Sequence, residues 1–299
     1  MPKELGVLLK EHNVATTALL ANYWKFKSKN RNNWSELTIQ QGERSKDLFK
    51  DELMQHFVNT DIQIEAEQRL DKRMWLPLAT RTRFFRHTVS DAVKNKGIEQ
   101  IIILGSGFDT LAVRKAKYNV KFFEIDQPAI LNCKEHIYAE QNINKNAEYI
   151  GLDYVQGDLI ESLISRNMNL SLPTLILWEG NTLYLEKEQV LNVLQTLSTH
   201  FSRLIITFDY LHAAMNNNTK YIDQASKENC LEETLESFSK NQSPFKAFFE
   251  PSEIESICEN LGMQCVDHKT AARLASDYGV DKEPYYTAET YSMTTFERR

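Results

Sequence analysis

Short apolar segments alternate with helical segments from about residue 98 to the end of the chain. Most of these segments end at or beside an acidic residue or a glycine, as buried strands often do. The five clearest read IEQIIILG, VKFFEID, AEYIGLD, TLILWEG and SRLIITFDY, and two further candidates are MQCVDH and AETYSMTTFE. Strands that alternate with helices form parallel sheets with helices on both faces. We therefore predict a doubly wound α/β domain with a mostly parallel, seven-stranded sheet.

The regions outside this alternation are helical or lack a strand pattern. Helical spacing of apolar residues covers about residues 4–29, 48–57 and 62–93, with Pro77 as the start or a kink of the third helix. The link after the fifth strand is too long for an ordinary connection, which favours a helical insertion. We predict one domain, 1–299, composed of an N-terminal helical cap (1–97), a Rossmann-like core (98–210 and 251–299) and a helical lid (211–250).

The last helix of the core carries a signal at each end. Ser252 and Glu255, in PSEIESICENLG, have the spacing of a capping box. Gly262 follows the last apolar position, where a glycine commonly ends a helix. The sequence therefore predicts a helix that begins at Ser252 and ends before Gly262.

Composition narrows the class of partner and the compartment. The 299 residues carry a formal net charge of −6, whereas a general nucleic-acid binder needs an excess of Lys and Arg. No apolar run approaches the roughly 20 residues of a membrane span, and Lys10 and Glu11 interrupt the first apolar stretch. The four cysteines lack metal-site spacing. We expect a small-molecule partner, no nucleic acid, no membrane and a cytoplasmic location; the oligomeric state stays open.

The segment IIILGSGFDT joins a predicted buried strand to a Gly-Ser-Gly turn. Gly105 and Gly107 allow a ligand to approach the backbone closely. Asp126 ends the next strand about 20 residues later, where a carboxylate commonly accepts hydrogen bonds from ribose hydroxyls. We expect Glu124 to face the opposite side of that strand, which makes it the lesser candidate. The turn therefore predicts a nucleoside ligand.

Two residues distinguish this turn from a dinucleotide fingerprint. Thr110 stands in the place of the third glycine, and Asp109 adds a negative charge that would repel a pyrophosphate. S-adenosylmethionine carries ribose, adenine and a positive sulfonium without phosphate. The pattern favours that cofactor over NAD, and a nicotinamide-dependent reductase is the disfavoured alternative.

Five co-linear stretches resemble the leucine carboxyl methyltransferase family of S-adenosylmethionine enzymes, especially its microbial branch of polyketide-type O-methyltransferases. They are ATRTRFF (79–85), LGSGFDT (104–110), FFEIDQP (122–128), YIGLDY (149–154) and PTLILWEGNTLYL (173–185). The resemblance covers roughly residues 15–262. It implies a class I methyltransferase fold, S-adenosylmethionine as methyl donor and S-adenosylhomocysteine as product.

The resemblance also implies cofactor-binding roles for matching residues. Arg81 would bind the carboxylate of the cofactor's amino-acid group, which suits a guanidinium fork. Gly105 and Gly107 would form the glycine loop, and Asp126 would bind the ribose. Asp153 would meet the adenine amino group, with Tyr154 packed beside it. Glu179 would lie next to the sulfonium and the amino-acid group.

The chain departs from the family around the entrance to the site. VATTALLANYW lacks the early lysine of the eukaryotic members, and Thr80 and Arg86 stand where the microbial branch commonly has Ala and Asp. If the segment is helical, Arg83 points away from Arg81, and Arg83 and Arg86 are interpreted as surface charges.

The residues and the resemblance together predict methyl transfer to oxygen. Tyr184 would line the transfer site, and His212 or His87 could act as a base. A carboxylate acceptor is ionised at neutral pH and needs no base, whereas a phenol would gain from one. No metal is required. We predict an O-methyltransferase for a carboxyl or hydroxyl oxygen of a small, polyketide-like molecule; the alternatives are a protein C-terminal carboxyl methyltransferase and an inactive cofactor-binding sensor.

Overall fold

The computed structural model describes residues 75–217, 245–279 and 286–298. The helices are α1 (Trp75–Asn95), α2 (Leu111–Arg114), α3 (Pro128–Glu140), α4 (Leu159–Ser165), α5 (Lys187–His200), α6 (Ala214–Asn217), α7 (Pro251–Asn260), α8 (Ala271–Asp277) and α9 (Tyr286–Glu289). The strands are β1 (Gln100–Leu104), β2 (Lys121–Asp126), β3 (Glu148–Gly151), β4 (Thr174–Trp178), β5 (Leu204–His212), β6 (Phe248–Phe249), β7 (Gln264–Thr270) and β8 (Tyr291–Arg298). A 3₁₀ turn spans Thr182–Tyr184.

The strands form one mixed sheet with the order β3-β2-β1-β4-β5-β8-β7. Strands β1 to β5 pair in parallel, and β8 runs antiparallel to both β5 and β7. The strand order reverses between β1 and β4, and in open α/β sheets a ligand crevice lies at such a point, outside the carboxyl ends of the strands. The predicted α/β fold with a mostly parallel sheet is confirmed.

Both faces of the sheet are covered, which explains why its strands are continuous apolar runs. In β1, Ile101 and Ile103 pack into a core with α1 and α8, whereas Ile102 and Leu104 pack into a second core with α4, α5 and α7. We call these the α1 face and the α5 face. Every residue of β1 is buried.

Strand β5 is longer than the sequence pattern indicates. It continues to His212, and the two-residue strand β6 pairs in parallel with its last residues. Both features lie inside the segment 211–250 that was predicted to be a lid, so its ends belong to the sheet. The structure therefore adds one short strand to the seven predicted.

The predicted start of α7 is wrong. The capping box consists of Glu250 and Glu253 rather than Ser252 and Glu255, and Pro251 is the first helical residue. The reason is that a proline at the first helical position lacks an N–H that would have no intrahelical partner, so the cap precedes it. Gly262 lies just past the helix with a φ of +73°, as predicted.

Parts of the predicted cap and lid lie outside the described residues. These are residues 1–74 and 218–244, together with Cys230. Of the other cysteines, Cys133 and Cys258 are buried and Cys265 is partly buried. None of the helices in the described ranges combines the length and apolar character needed to cross a membrane.

Candidate functional site

The carboxyl ends of β1, β2 and β4 bring several predicted residues to one crevice. The glycine turn follows β1, Asp126 ends β2, and Glu179 follows β4. Arg81 reaches the same place from α1, and its Nε donates to Glu179 Oε1 at 3.1 Å. Residues that are far apart in sequence therefore form one polar site at the switch point of the sheet.

The glycine turn folds back over the end of β2. The backbone N–H groups of Gly105 and Ser106 both donate to the carbonyl of Ile125, at 2.8 and 3.1 Å. Gly107 N donates to Asp126 Oδ2 at 2.6 Å. Gly105 and Gly107 have φ values of +63° and +50°, a conformation that favours glycine. Because α2 has only four residues, the loop itself, rather than a helix terminus, shapes this side of the crevice.

Asn181 fastens the glycine turn to the loop after β4, a role that the sequence analysis did not identify. Its Nδ2 donates to the carbonyl of Gly105 at 2.9 Å and to that of Glu179 at 3.1 Å. A Cβ at Gly105 would lie 2.3 Å from the Asn181 side chain. The close approach requires a glycine for steric reasons as well as for its φ.

We predict that Gly105→Ala destabilises the protein more than Gly97→Ala. Both glycines have positive φ, which costs an alanine about 1–2 kcal/mol, but a Cβ at Gly97 meets no atom within 4 Å. The clash with Asn181 should add about 1–3 kcal/mol at Gly105 alone. Urea denaturation of the two variants measures the difference, and equal losses would contradict the proposed contact.

Asp126 is buried and holds both backbone and ligand-directed lone pairs. Oδ2 accepts from Gly107 N, and Oδ1 accepts from Gln127 N at 2.7 Å. Burial raises the pKa of Asp126, whereas these two N–H groups and Lys134 act in the opposite direction. Each carboxylate oxygen has two lone-pair sites, so one on each remains to accept from a ligand hydroxyl.

The expectation that Glu124 faces away from Asp126 is wrong. Residues two apart on a strand point to the same side, and Glu124 lies on the α1 face, where it forms an ion pair with Lys134 of α3. Both side chains are almost completely buried. The Lys134 ammonium also lies 5.6 Å from the centre of the Tyr149 ring. Glu124 is thus an internal charge beneath the glycine turn, with its own counter-ion.

Arg81 takes part in a larger buried network. Its Nη1 lies 2.7 Å from the Tyr291 hydroxyl and 3.4 Å from Asp209 Oδ2. Tyr291 also donates to Asp209, whose Oδ1 accepts from Gly180 N at 2.6 Å. Burial disfavours the charged guanidinium, but Tyr291, Glu179 and Asp209 raise the pKa of Arg81 well above its usual value. Arg81 is therefore a fixed positive charge.

The sequence analysis missed Asp209 and Tyr291. Asp209 sits in the FDY that ends the fifth strand pattern, and an acid at the carboxyl end of a parallel strand is the signal that could have identified it. Tyr291 begins β8, and nothing in its local pattern points to the crevice.

Asp153 and Tyr154 lie in the turn after β3. Asp153 Oδ1 accepts from Val155 N at 3.1 Å, and its carbonyl accepts from the N–H groups of Gln156 and Gly157. The Tyr154 hydroxyl accepts from Trp178 Nε1 at 3.0 Å, and the two rings meet edge to face. The turn is thereby attached to β4, next to the crevice, and the predicted contact of Asp153 with adenine stays a prediction.

Tyr184 is on the α1 face, near Arg81. Its ring packs against Phe245 with the ring centres 5.7 Å apart, and the backbone N–H of Lys246 donates to Leu183 O at 2.8 Å. Burial raises the pKa of Tyr184 to about 12, so its hydroxyl is protonated at neutral pH. The described end of the 211–250 segment is thus attached to the turn that carries Tyr184.

His212 is not brought together with Tyr184. Its ring stacks on Tyr210, on the α5 face, and its Nε2 is 2.7 Å from Ser292 Oγ. Burial lowers the pKa of His212 to about 4, and His268 lowers it further. His87 is exposed on α1. The two predicted catalytic residues therefore occupy opposite faces of the sheet, and a base at His212 stays a prediction.

The interpretation of Arg83 as a surface charge is wrong. Only 2% of this residue is exposed, and its guanidinium lies 4.0 Å from the centre of the Tyr278 ring. Arg86 is partly buried. An arginine can be buried at this position because the end of α8 supplies an aromatic face on which the guanidinium stacks. Within the ranges that the structure describes, no three His, Cys, Asp or Glu side chains group as a metal site would require.

Comparison with known sequences identifies a family. Residues 36–198, more than half of the chain, match the profile described as leucine carboxyl methyltransferase. A protein of Mycolicibacterium paratuberculosis is 33% identical over 153 residues, which cover 49% of this chain and 48% of the relative. A protein of Saccharopolyspora erythraea is 33% identical over 135 residues, 43% of this chain and 46% of the relative. Both relatives are assigned as S-adenosyl-L-methionine-dependent methyltransferases, and the chain matches about half the length of each.

Comparison with solved structures shows the fold. A DUF574 family protein from Streptomyces avermitilis gives a TM-score of 0.59 at 12% identity, covering 90% of this chain and 97% of that one. A protein from Thermobifida fusca, described as a methyltransferase, gives 0.60 at 15% identity, with 85% and 92% covered. Magnesium protoporphyrin IX methyltransferase from Synechocystis, with bound S-adenosylhomocysteine, gives 0.50 at 8% identity, with 85% and 98% covered.

Proposed function

Because the chain belongs to the leucine carboxyl methyltransferase family, whose enzymes use S-adenosylmethionine, we propose that it transfers a methyl group from this cofactor to an oxygen atom of a small molecule. The acceptor oxygen belongs to a carboxyl or hydroxyl group. The observation that carries the proposal is the shared crevice, where the Arg81–Glu179 pair and the Gly107–Asp126 contact lie at neighbouring strand ends.

The side chains of the crevice fit the chemical groups of this cofactor. Its amino-acid group carries one negative and one positive charge, and the crevice offers both a guanidinium and a carboxylate 3.1 Å apart. Asp126 retains acceptor sites for ribose hydroxyls, and Gly105 and Gly107 keep side chains out of the way. In contrast, Asp109 beside the turn disfavours a pyrophosphate.

Each residue of the crevice has a binding or orienting role in this proposal. The bound cofactor supplies the reactive methyl group on a sulfonium. Arg81 binds the carboxylate of the amino-acid group, Glu179 offsets nearby positive charge, and Asp126 holds the ribose. Alignment of donor and acceptor is the main contribution of the protein, because it removes much of the entropic cost of a two-molecule reaction.

The acceptor is proposed to bind beside Tyr184 and Phe245. Their rings form an aromatic surface next to Arg81, which suits an apolar, polyketide-like molecule. Tyr184 is protonated at neutral pH and can donate a hydrogen bond to the acceptor oxygen. A carboxylate acceptor would already be ionised and would require only this orientation.

Transfer of a radiolabelled methyl group tests the proposal. The purified protein is incubated with labelled S-adenosylmethionine and three panels: small carboxylic acids, small phenols, and peptides that end in a leucine carboxylate. We expect label in a small molecule. Label in the peptides alone would favour the protein carboxyl methyltransferase, and cofactor binding without transfer to any panel would favour the sensor.

A further prediction concerns His212. Because this side chain lies on the α5 face and is hydrogen bonded to Ser292, we expect His212→Ala to leave the rates with phenol and carboxylate acceptors within about twofold of the original. The measurement is the ratio of kcat/KM for the two acceptor types. A loss confined to the phenol would instead support the base that the sequence suggested.

A further inference from the structure

Asp209, Tyr291 and Arg81 form a closed hydrogen-bonded triangle inside the protein. Tyr291 Oη accepts from Arg81 Nη1 at 2.7 Å and donates to Asp209 Oδ2, which lies 3.4 Å from the same nitrogen. The Asp209 carboxylate is 0% exposed and the Arg81 side chain 7% exposed. The three residues come from β5, β8 and α1, so the triangle forms only when these elements pack together.

Every oxygen of the Asp209 carboxylate has a partner. Oδ1 accepts from Gly180 N, and Oδ2 meets Tyr291 and Arg81. Burial raises the pKa of Asp209, and Arg81, Tyr291 and the Gly180 N–H oppose this effect. A buried polar network with all its members satisfied fixes one geometry, because any other would leave a buried charge or hydroxyl without a partner.

The contacts of Arg81 are unevenly distributed over its guanidinium. Nε donates to Glu179, and Nη1 contacts Tyr291 and Asp209. A Cβ at Gly180 would lie 2.9 Å from Nη1, so the glycine backbone passes directly against the group. The plane of the guanidinium is therefore set by groups on one side and one edge.

We propose that Asp209 and Tyr291 are positioning residues, which hold the Arg81 guanidinium so that Nη2 is presented to the carboxylate of the cofactor's amino-acid group. The inference rests on the proposed function and adds two residues to it. Asp209 neutralises the charge of Arg81, which leaves Glu179 available for the positive groups of the ligand. Tyr291 locks the orientation, since its hydroxyl bridges the two charged groups.

The variant Tyr291→Phe tests the role of the hydroxyl while keeping the ring. Tyr210→Phe is the matched control, because Tyr210 is equally buried in the neighbouring strand, but its hydroxyl contacts His268 on the α5 face. The ligands are S-adenosylhomocysteine and 5′-methylthioadenosine, which keeps the adenosine but lacks the amino-acid group. Calorimetric titration gives the affinity of each protein for each ligand, and thermal melting shows whether both variants fold.

We expect Tyr291→Phe to weaken S-adenosylhomocysteine binding by about tenfold and to leave 5′-methylthioadenosine binding unchanged. Tyr210→Phe should leave both affinities unchanged. An equal loss with both ligands would mark Tyr291 as merely structural, and affinities equal to the original would also overturn the inference, while the proposed function would stand. Failure of the unaltered protein to bind either nucleoside would overturn both.

Discussion

Replacement of Arg81 by methionine is expected to lower the affinity for S-adenosylhomocysteine by about a hundredfold. Removal of one member of a buried, hydrogen-bonded charge pair costs about 2–5 kcal/mol, much of it because the partner charge is left alone. In this protein the loss would be double, since the ligand carboxylate loses its counter-ion and Glu179 and Asp209 remain as buried acids. Titration calorimetry of the folded variant measures the affinity directly.

Arg83→Met is the matched control for this variant. Arg83 lies on the same helix and is also buried, but it stacks on Tyr278 instead of facing the crevice. Its loss should reduce stability and leave the affinity for S-adenosylhomocysteine within about twofold of the original, because contacts away from the ligand affect binding little. Equal effects of the two variants on affinity would contradict the assigned role of Arg81.

Replacement of Lys134 by methionine is expected to reduce the free energy of unfolding by about 3–5 kcal/mol. A buried ion pair that loses one partner leaves an uncompensated charge in the interior. In this case the remaining charge is Glu124, whose pKa is raised by burial and lowered by Lys134. Urea denaturation at pH 7 measures the loss, and stability equal to that of the original protein would refute the pair.

The same variant should show a characteristic pH dependence. Without Lys134, the pKa of Glu124 in the folded state lies further above its unfolded value, so the folded state holds a proton that the unfolded state releases. Its stability is therefore highest below the unfolded pKa of about 4.3 and falls as the pH rises toward the folded pKa. The double variant Lys134→Met/Glu124→Leu removes both charges and should recover most of the stability. No recovery would show that the charge is not the cause.

Local patterns were sufficient to predict the architecture of the core. The run Ile101 to Leu104 is apolar at every position, and such a run followed by a glycine turn is typical of a central parallel strand. The acid that ends the second strand is likewise a local signal. Asp126 was therefore identified from its position alone, and the structure places it against the glycine turn.

The partners of Arg81 could not be predicted in the same way. Its contacts with Glu179, Asp209 and Tyr291 span 98, 128 and 210 residues of sequence. They depend on how the last, antiparallel strand packs beside β5, which no local pattern specifies. The burial of Arg83 is a similar case, because the aromatic face that covers it comes from the end of α8.

Other differences arise where two local signals compete. At the start of α7, the Ser252 and Glu255 spacing suggested a cap, but Pro251 and Glu250 define the first turn instead. At Glu124 the strand period of two places the side chain on the same face as Asp126. At His212 the same alternation, continued past the predicted end of β5, directs the ring to the α5 face.

Binding of the nucleoside itself tests the central claim most directly. In a calorimetric titration of the purified protein, we predict that S-adenosylhomocysteine binds saturably with one site per chain, while NADH added in its place produces no binding heat. Saturable binding of NADH, or no binding of S-adenosylhomocysteine at millimolar concentration, would contradict the account of the crevice.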